Sequence, residues 1–140
     1  MNKQKLAEQL EKHEGLKLKP YLDTVGKLTL GIGRNLEDKG ITRDEAFVML
    51  NNDVDYFYKK LDAELPFFKT LNDARQNVLV NMAFNLGVYG LLSFKMTLRL
   101  IEYGDFENAS NEMLDSKWAL QVGSRAIELS KQLRTGEFYE

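Results

Sequence analysis

Two carboxylic acids and a hydroxyl stand at short spacing near the start of the chain. Eight residues separate Glu14 from Asp23, and five separate Asp23 from Thr29. Hydrolysis of a glycosidic bond needs one protonated carboxyl to release the leaving oxygen. It also needs one ionised carboxyl to activate water or to stabilise positive charge on the sugar. A nearby hydroxyl can position the water, so these three residues favour acid–base hydrolysis of a sugar polymer.

The first helix must present Glu14. Asn2 is a good N-cap and Gly15 a good C-terminal stop, which predicts a helix with Glu14 in its last turn. The backbone dipole at that end disfavours negative charge and so favours the protonated form that a general acid requires. The alternative is an ordinary solvated glutamate beside Lys12.

A β-hairpin must present Asp23 and Thr29. Pro20 predicts the start of an extended segment, residues 24–27 a turn, and the alternation in residues 28–32 a second strand. The apolar residues of that strand share one face, so Thr29 should face a cleft or solvent. If Asp23 lies opposite Thr29, the two share a face. The alternatives are a turn-forming aspartate and a β-branched strand residue.

The rest of the chain reads as helical. After a polar connection at Asn35–Gly40, Thr42 and Glu45 form a predicted capping box. The helix that follows should run to about Leu65 and stop at Pro66, a length that suggests a spine between two lobes.

Composition excludes several classes of protein. The 140 residues suit one soluble domain, and a net charge of −2 argues against a nucleic-acid partner. With no cysteine and one histidine, we expect no metal and no other cofactor. We find no apolar signal segment, and the longest apolar stretch, near residues 86–94, is too short to insert into a membrane.

Five ordered segments resemble one family. Glu14, Asp23 and Thr29 with Leu30-Gly31-Ile32-Gly33 resemble the catalytic signature of phage-type lysozymes, the muramidase endolysins of the T-even phage group. The other segments follow in the same order and resemble that family's interlobe helix, central buried helix and C-terminal part: Gly40–Ala46, Asn52–Val54, Asn81–Gly87, and Ser116–Trp118 with Gln121, Arg125–Ala126 and Arg134–Gly136.

The resemblance implies a fold and an activity. The fold is α+β and mainly α, a single lysozyme domain over residues 1–140 with a small antiparallel sheet. Its parts are an N-terminal lobe at about 15–42, an interlobe helix at about 43–65, and a helical lobe at about 66–140 joined by helix 3–14. The activity is inverting cleavage of the β-1,4 bond between N-acetylmuramic acid and N-acetylglucosamine in bacterial peptidoglycan. We expect a monomer, made in the host cytoplasm and released to the wall through a separate membrane pore.

The resemblance also implies residue roles. Glu14 is the general acid, Asp23 the base or electrostatic partner, and Thr29 a holder of the attacking water. Four residues are candidates for substrate binding: Gly33, where a glycine lets a bulky ligand approach, Phe84 at the cleft floor, Thr97 lining the cleft, and Arg125 near the catalytic glutamate. The role of Gly33 rests on the residue type rather than on the resemblance, and its alternative is an ordinary bend at the end of a strand. For Phe84 the alternative is an ordinary core aromatic.

Two departures from the family pattern carry expectations. Arg34 stands where the family has a histidine, and Asp53 occupies the place of the aspartate that pairs with it, so we predict an Arg34–Asp53 ion pair. The short Asn35–Gly40 connection leaves no room for the extra helix of the larger members.

Two other activities stay open at this point. A lytic transglycosylase also uses a glutamic acid but needs no second carboxylate, and its 1,6-anhydro product is lighter by one water than a reducing end. A non-catalytic helical module would bind cell-wall glycan without releasing soluble fragments.

Overall fold

A computed structural model describes the whole chain, Met1–Glu140. It contains eight α-helices, one short 3₁₀ turn at Phe68–Thr70 and one three-stranded antiparallel sheet, which confirms the mainly helical α+β class. The strands are β1 (Lys17–Leu22), β2 (Leu28–Gly31) and β3 (Arg34–Asn35). The helices are α1 (Lys3–Glu14), α2 (Arg43–Glu64), α3 (Asp73–Leu86), α4 (Val88–Leu92), α5 (Lys95–Glu102), α6 (Phe106–Leu114), α7 (Lys117–Val122) and α8 (Ser124–Thr135).

Residues Met1–Met49 form one compact unit that holds α1, the sheet and the start of α2. Asn2 caps α1 as predicted, because its Oδ1 accepts a hydrogen bond from the Lys5 amide at 3.0 Å. The sheet has the order β1-β2-β3, and its first strand begins three residues before Pro20 rather than at it. The association of α1 with the C-terminal lobe stays a prediction.

Helix α2 begins and ends where local chemistry dictates. The amide of Thr42 donates to Glu45 Oε1 at 2.9 Å and the amide of Glu45 donates to Thr42 Oγ1 at 3.2 Å, so the predicted capping box is confirmed. The helix ends at Glu64, two residues before Pro66. No helix lies between β3 and α2, as the short connection requires.

Residues Leu50–Glu140 form the second unit, which contains the hydrophobic core. Helix α3 supplies much of that core, and its five buried residues are Ala74, Val78, Leu79, Met82 and Ala83. Its remaining face is exposed and carries asparagines and Phe84. None of the helices combines the length and the apolar character needed to cross a lipid bilayer.

Candidate active site

Glu14 lies against the turn between β2 and β3. Helix α1 stops there because Gly15 adopts φ 78°, with its amide bonded to the Glu11 carbonyl at 2.8 Å. The Glu14 side chain is exposed, and a Cβ built on Gly33 would come within 3.0 Å of its Oε2. Gly33 itself has φ 68°, a conformation that L-residues rarely adopt. The missing side chain of Gly33 therefore makes the space in which the Glu14 carboxyl lies.

Asp23 is held on the turn between β1 and β2. Its Oδ1 accepts hydrogen bonds from the amides of Val25 at 2.9 Å and Lys27 at 2.8 Å. The turn closes with a bond of 3.0 Å from the Gly26 amide to the Asp23 carbonyl, and Gly26 has the φ of 83° that this turn needs. The turn-forming role is therefore real. It uses one carboxylate oxygen, while Oδ2 has no hydrogen-bond partner in the structure.

Thr29 is connected to Asp23 through the main chain of Lys27. The Thr29 hydroxyl donates to the Lys27 carbonyl at 2.8 Å, and the Asp23 amide donates to the same carbonyl at 2.9 Å. Thr29 is only 3% exposed, so it does not face open solvent, and the expectation that it faces a cleft stays a prediction. Its hydroxyl proton is already used, which leaves the oxygen lone pairs as the hydrogen-bonding capacity of this side chain.

The hairpin register differs from the one considered from sequence. Tyr21 lies opposite Thr29, and Asp23 bonds to Lys27 instead. The offset between the two registers is two residues, and a shift of two preserves the face of every side chain in a strand. Asp23 and Thr29 therefore keep the same face parity although they are not direct partners.

Arg34 pairs with Glu45, so the predicted Arg34–Asp53 ion pair is wrong. Both guanidinium Nη atoms lie 2.8 Å from the two carboxylate oxygens of Glu45, and Nη1 also donates to the Gly40 carbonyl at 3.2 Å. Asp53 stands two helical turns further along α2, roughly 12 Å from Glu45 at 1.5 Å per residue. This forked pair attaches β3, and with it the Gly33 turn, to the first turn of α2.

The Arg34 guanidinium lowers the pKa of Glu45 to about 2, with help from the hydrogen bonds of Thr42. Glu45 can serve both partners because a carboxylate accepts several hydrogen bonds at once. The first turn of a helix also favours its negative charge. The Glu45 carboxylate therefore both caps α2 and forms the ion pair that attaches β3 to it.

The four remaining candidates lie in the second unit and do not share one site. Phe84 and Arg125 line a cavity of about 360 Å³ together with Asn77 and Asn81. Thr97 is 3% exposed and lines a different cavity of about 410 Å³ beside Trp118. Asp53 lies on the exposed surface of α2.

The family model for phage lysozyme matches residues 11–134 of the chain. The chain belongs to the phage lysozyme family. Probable T4-type lysozyme 1 of Dictyostelium discoideum is 29% identical over 160 residues and covers 94% of each chain. An endolysin of Acyrthosiphon pisum secondary endosymbiont phage 1 is 28% identical over 114 residues, 79% of this chain and 74% of the relative.

A third relative is much longer than this chain. The pre-baseplate central spike protein of Enterobacteria phage T4 is 30% identical over 159 residues, and the match covers 94% of this chain but 28% of the spike protein. Membership of the phage lysozyme family makes this chain a glycosidase of the lysozyme class.

Sequence reasoning missed two groups that support the candidate site of this phage lysozyme family member. The first is the backbone amide and carbonyl of Lys27, whose role cannot be predicted from residue type because every residue except proline carries the same two groups. The second is the carboxylate of Glu45: the sequence predicts its part in the capping box but not its ion pair with Arg34. The signal available was an acidic residue in the first turn of the helix that follows β3 after a short connection.

Proposed function

We propose that this chain hydrolyses the β-1,4 bond between N-acetylmuramic acid and N-acetylglucosamine in bacterial peptidoglycan. Glu14 is the general acid, and Asp23 is the base that activates water. One observation carries the proposal: the two carboxyls lie near opposite ends of β2. Glu14 lies against Gly33, and Asp23 is bonded to the turn before Leu28.

The spacing along the strand favours inversion of the anomeric centre. Asp23 is bonded to Lys27, just before β2, and Glu14 lies against Gly33, just after it. The strand rises by about 3.3 Å per residue, so the four residues from Lys27 to Gly31 already separate the two positions by ~13 Å along the backbone. An inverting pair needs about 6.5–9.5 Å between its carboxyls to leave room for water, so the proposal requires the two side chains to reach toward each other across that gap. Hydrogen bonds from two backbone amides hold the Asp23 carboxylate to its turn. They disfavour a movement that would bring the carboxylate close enough to attack the sugar directly.

Thr29 and Asp23 offer acceptors for the attacking water. An attacking water must turn a lone pair toward the sugar and give its protons to acceptors. The Thr29 oxygen is one such acceptor because its own proton is donated to Lys27, and the unbonded Oδ2 of Asp23 is the second. Since Thr29 is buried, the proposal requires that water reach its oxygen when glycan is bound.

The decisive experiment is clearing of a wall suspension by Glu14→Gln. The variant should lose activity by about 10²–10⁴-fold, because a general acid contributes on that order. Its melting transition should match the parent because the Glu14 side chain is exposed. Glu11→Gln, one turn earlier on α1, is the matched control and should clear normally. Clearing by Glu14→Gln at the parental rate would show that the acid is misassigned.

A second variant isolates the charge of Asp23. Asp23→Asn keeps an oxygen for the amides of Val25 and Lys27, so the turn should survive while the base is lost. Activity should therefore fall sharply with little change in stability. Mass spectrometry of the parent's products checks the reaction itself, because hydrolysis gives reducing ends, and a 1,6-anhydro end would instead indicate a transglycosylase.

A further inference from the structure

We propose that Lys27 is a positioning residue whose ammonium group keeps the proposed base Asp23 and the proposed water holder Thr29 in register. This inference rests on the proposed function, because that function assigns those two roles. Lys27 Nζ lies 3.3 Å from Glu37 Oε2 and 3.3 Å from Asp38 Oδ1. One cation therefore joins the turn between β1 and β2 to the connection that follows β3.

Backbone hydrogen bonds bring these two segments together. The Leu28 carbonyl accepts hydrogen bonds from the amides of Leu36 at 2.9 Å and Glu37 at 3.3 Å. These bonds hold the start of the connection beside the end of the turn. Lys27 directly precedes Leu28, so its side chain and the carboxylates of residues 37 and 38 lie within reach of each other.

Asp38 is itself held in place by Asn35. Asn35 Nδ2 donates to Asp38 Oδ2 at 3.1 Å, and the Asp38 amide donates to Asn35 Oδ1 at 2.9 Å. Asn35 lies directly opposite Thr29 in the ladder between β3 and β2. The Thr29 hydroxyl in turn donates to the Lys27 carbonyl at 2.8 Å. These contacts close a ring that begins at the Lys27 carbonyl and returns to the Lys27 ammonium.

The ring restrains the peptide groups on both sides of the Lys27 Cα. The amide of Lys27 holds Asp23 Oδ1 at 2.8 Å and its carbonyl holds the Thr29 hydroxyl, so a rotation of these peptide groups would move the base and the water holder apart. Gly26, with φ 83°, precedes Lys27 and offers little resistance to such a rotation because glycine has wide conformational freedom. A side chain that is also fixed at its far end limits the rotation before substrate binds, and geometry that is fixed in advance raises the rate of the bound reactant.

The two ion pairs should matter more for geometry than for stability. Their side chains stay accessible to water within their unit, with 38% of Lys27, 51% of Glu37 and 59% of Asp38 exposed. Exposed ion pairs contribute little to the free energy of folding. Loss of the Lys27 ammonium should therefore leave the unfolding temperature nearly unchanged and lower the rate of catalysis.

The test compares Lys27→Met with Lys39→Met. Lys39 lies in the same connection and forms no ion pair within this unit, so both variants lose one positive charge but only the first opens the ring. Lys27→Met should lower kcat for wall clearing about 3–10-fold with little change in KM, since a misplacement of about 1 Å can cost on the order of 10²-fold in rate. Lys39→Met should keep the parental kcat. Equal kcat values in the two variants would overturn the inference, and so would an effect of Lys27→Met confined to KM, which would assign the charge to attraction of the wall polymer.

A rescue and a double-mutant cycle connect the effect to the two carboxylates. Lys27→Arg keeps a cation that can bind both of them, so its kcat should stay near the parental value. The double variant Glu37→Gln/Asp38→Asn should lower kcat as Lys27→Met does, and it should add nothing in the Lys27→Met background. Equal effects of the carboxyl replacements in both backgrounds would show that the carboxylates do not act through Lys27.

One measurement does not depend on activity. The backbone amide of residue 27 donates to Asp23 Oδ1, and NMR can follow its exchange with water. After correction for the intrinsic rate of each sequence, that exchange should be about 3–10-fold faster in Lys27→Met than in the parent, because a looser turn opens more often. The amide of Glu45, which is bonded to Thr42 in the cap of α2, should exchange at the same rate in both proteins.

Unchanged exchange at residue 27 would refute the positioning role. If the parent protein fails to clear walls, the proposed function fails, while the exchange measurement still decides whether the side chain of Lys27 holds the turn.

Discussion

Replacement of Gly33 by alanine should impair catalysis more than stability. The added Cβ would stand 3.0 Å from Glu14 Oε2, 3.1 Å from Cδ and 3.2 Å from Cγ. These contacts are shorter than ordinary van der Waals separations, so the Glu14 carboxyl must move by a few tenths of an ångström or swing away. Because that carboxyl is the proposed proton donor, its displacement should lower the rate directly.

The chain contains a matched control for this substitution two residues earlier. Gly31 has φ 72° and Gly33 has φ 68°, so alanine pays about the same backbone penalty at both, roughly 1–2 kcal/mol. At Gly31, however, a Cβ would meet nothing within 4 Å. The penalty corresponds to a fall of roughly 3–8 °C in the unfolding temperature of either variant for a domain of this size. The difference between the two variants therefore isolates the contact with Glu14.

The assay compares kcat/KM for wall clearing with the thermal unfolding temperature in both variants. A misplacement of about 1 Å can cost on the order of 10²-fold in rate, so a shift of a few tenths should cost roughly 3–10-fold beyond Gly31→Ala. In a Glu14→Gln background the two alanine variants should be equal. If Gly33→Ala and Gly31→Ala clear walls equally fast with Glu14 present, the contact does not position the acid and the reasoning fails.

Two further predictions concern Thr29 and Glu45. Thr29→Val removes the hydroxyl, and the Lys27 carbonyl keeps the Asp23 amide as its remaining donor, so the substitution should cost about 0.5–1.5 kcal/mol in chemical denaturation and slow wall clearing, whereas Thr29→Ser should retain both stability and activity. Stability equal to the parent's would contradict this assignment. Since the pKa of Glu45 falls from 4.5 to about 2 on folding, its stabilisation is complete above pH 4.5 and is lost as the pH falls through 2. Unfolding temperatures measured across that window should therefore drop less in Glu45→Gln than in the parent, and identical pH profiles would exclude the Arg34–Glu45 pair as the cause.

Local hydrogen-bonding chemistry explains what could be predicted from the sequence. The cap at Asn2 and the capping box at Thr42 each depend on a side chain and an amide three residues away, so the sequence contains the whole interaction. Proline ends a helix by removing a donor, which placed the end of α2 near Pro66. The existence and type of these elements follow from contacts of this short range.

The failures concern contacts between elements. The partner of Arg34 depends on how closely β3 approaches the first turn of α2, and the short connection brings Glu45 into reach before Asp53. The burial of Thr29 depends on what covers its face of the sheet, which the alternation of one strand does not reveal. In both cases the residue type indicates what the side chain can do, but the spacing along the chain does not give the distance to its neighbours in the folded protein.

The five-residue gap between Asp23 and Thr29 has a physical origin in the hairpin. Asp23 Oδ1 accepts a hydrogen bond from the amide of Lys27, four residues after it in the chain. The Thr29 hydroxyl donates to the carbonyl of the same Lys27, two residues before it. Both requirements meet at Lys27, so the two candidate catalytic residues must stand six positions apart. The side chain of Lys27 plays no part in these bonds, which is why the motif constrains a distance in sequence and not a residue type at that position. Adding or removing one turn residue would separate the two bonds onto different peptide groups and uncouple the proposed base from the proposed water holder.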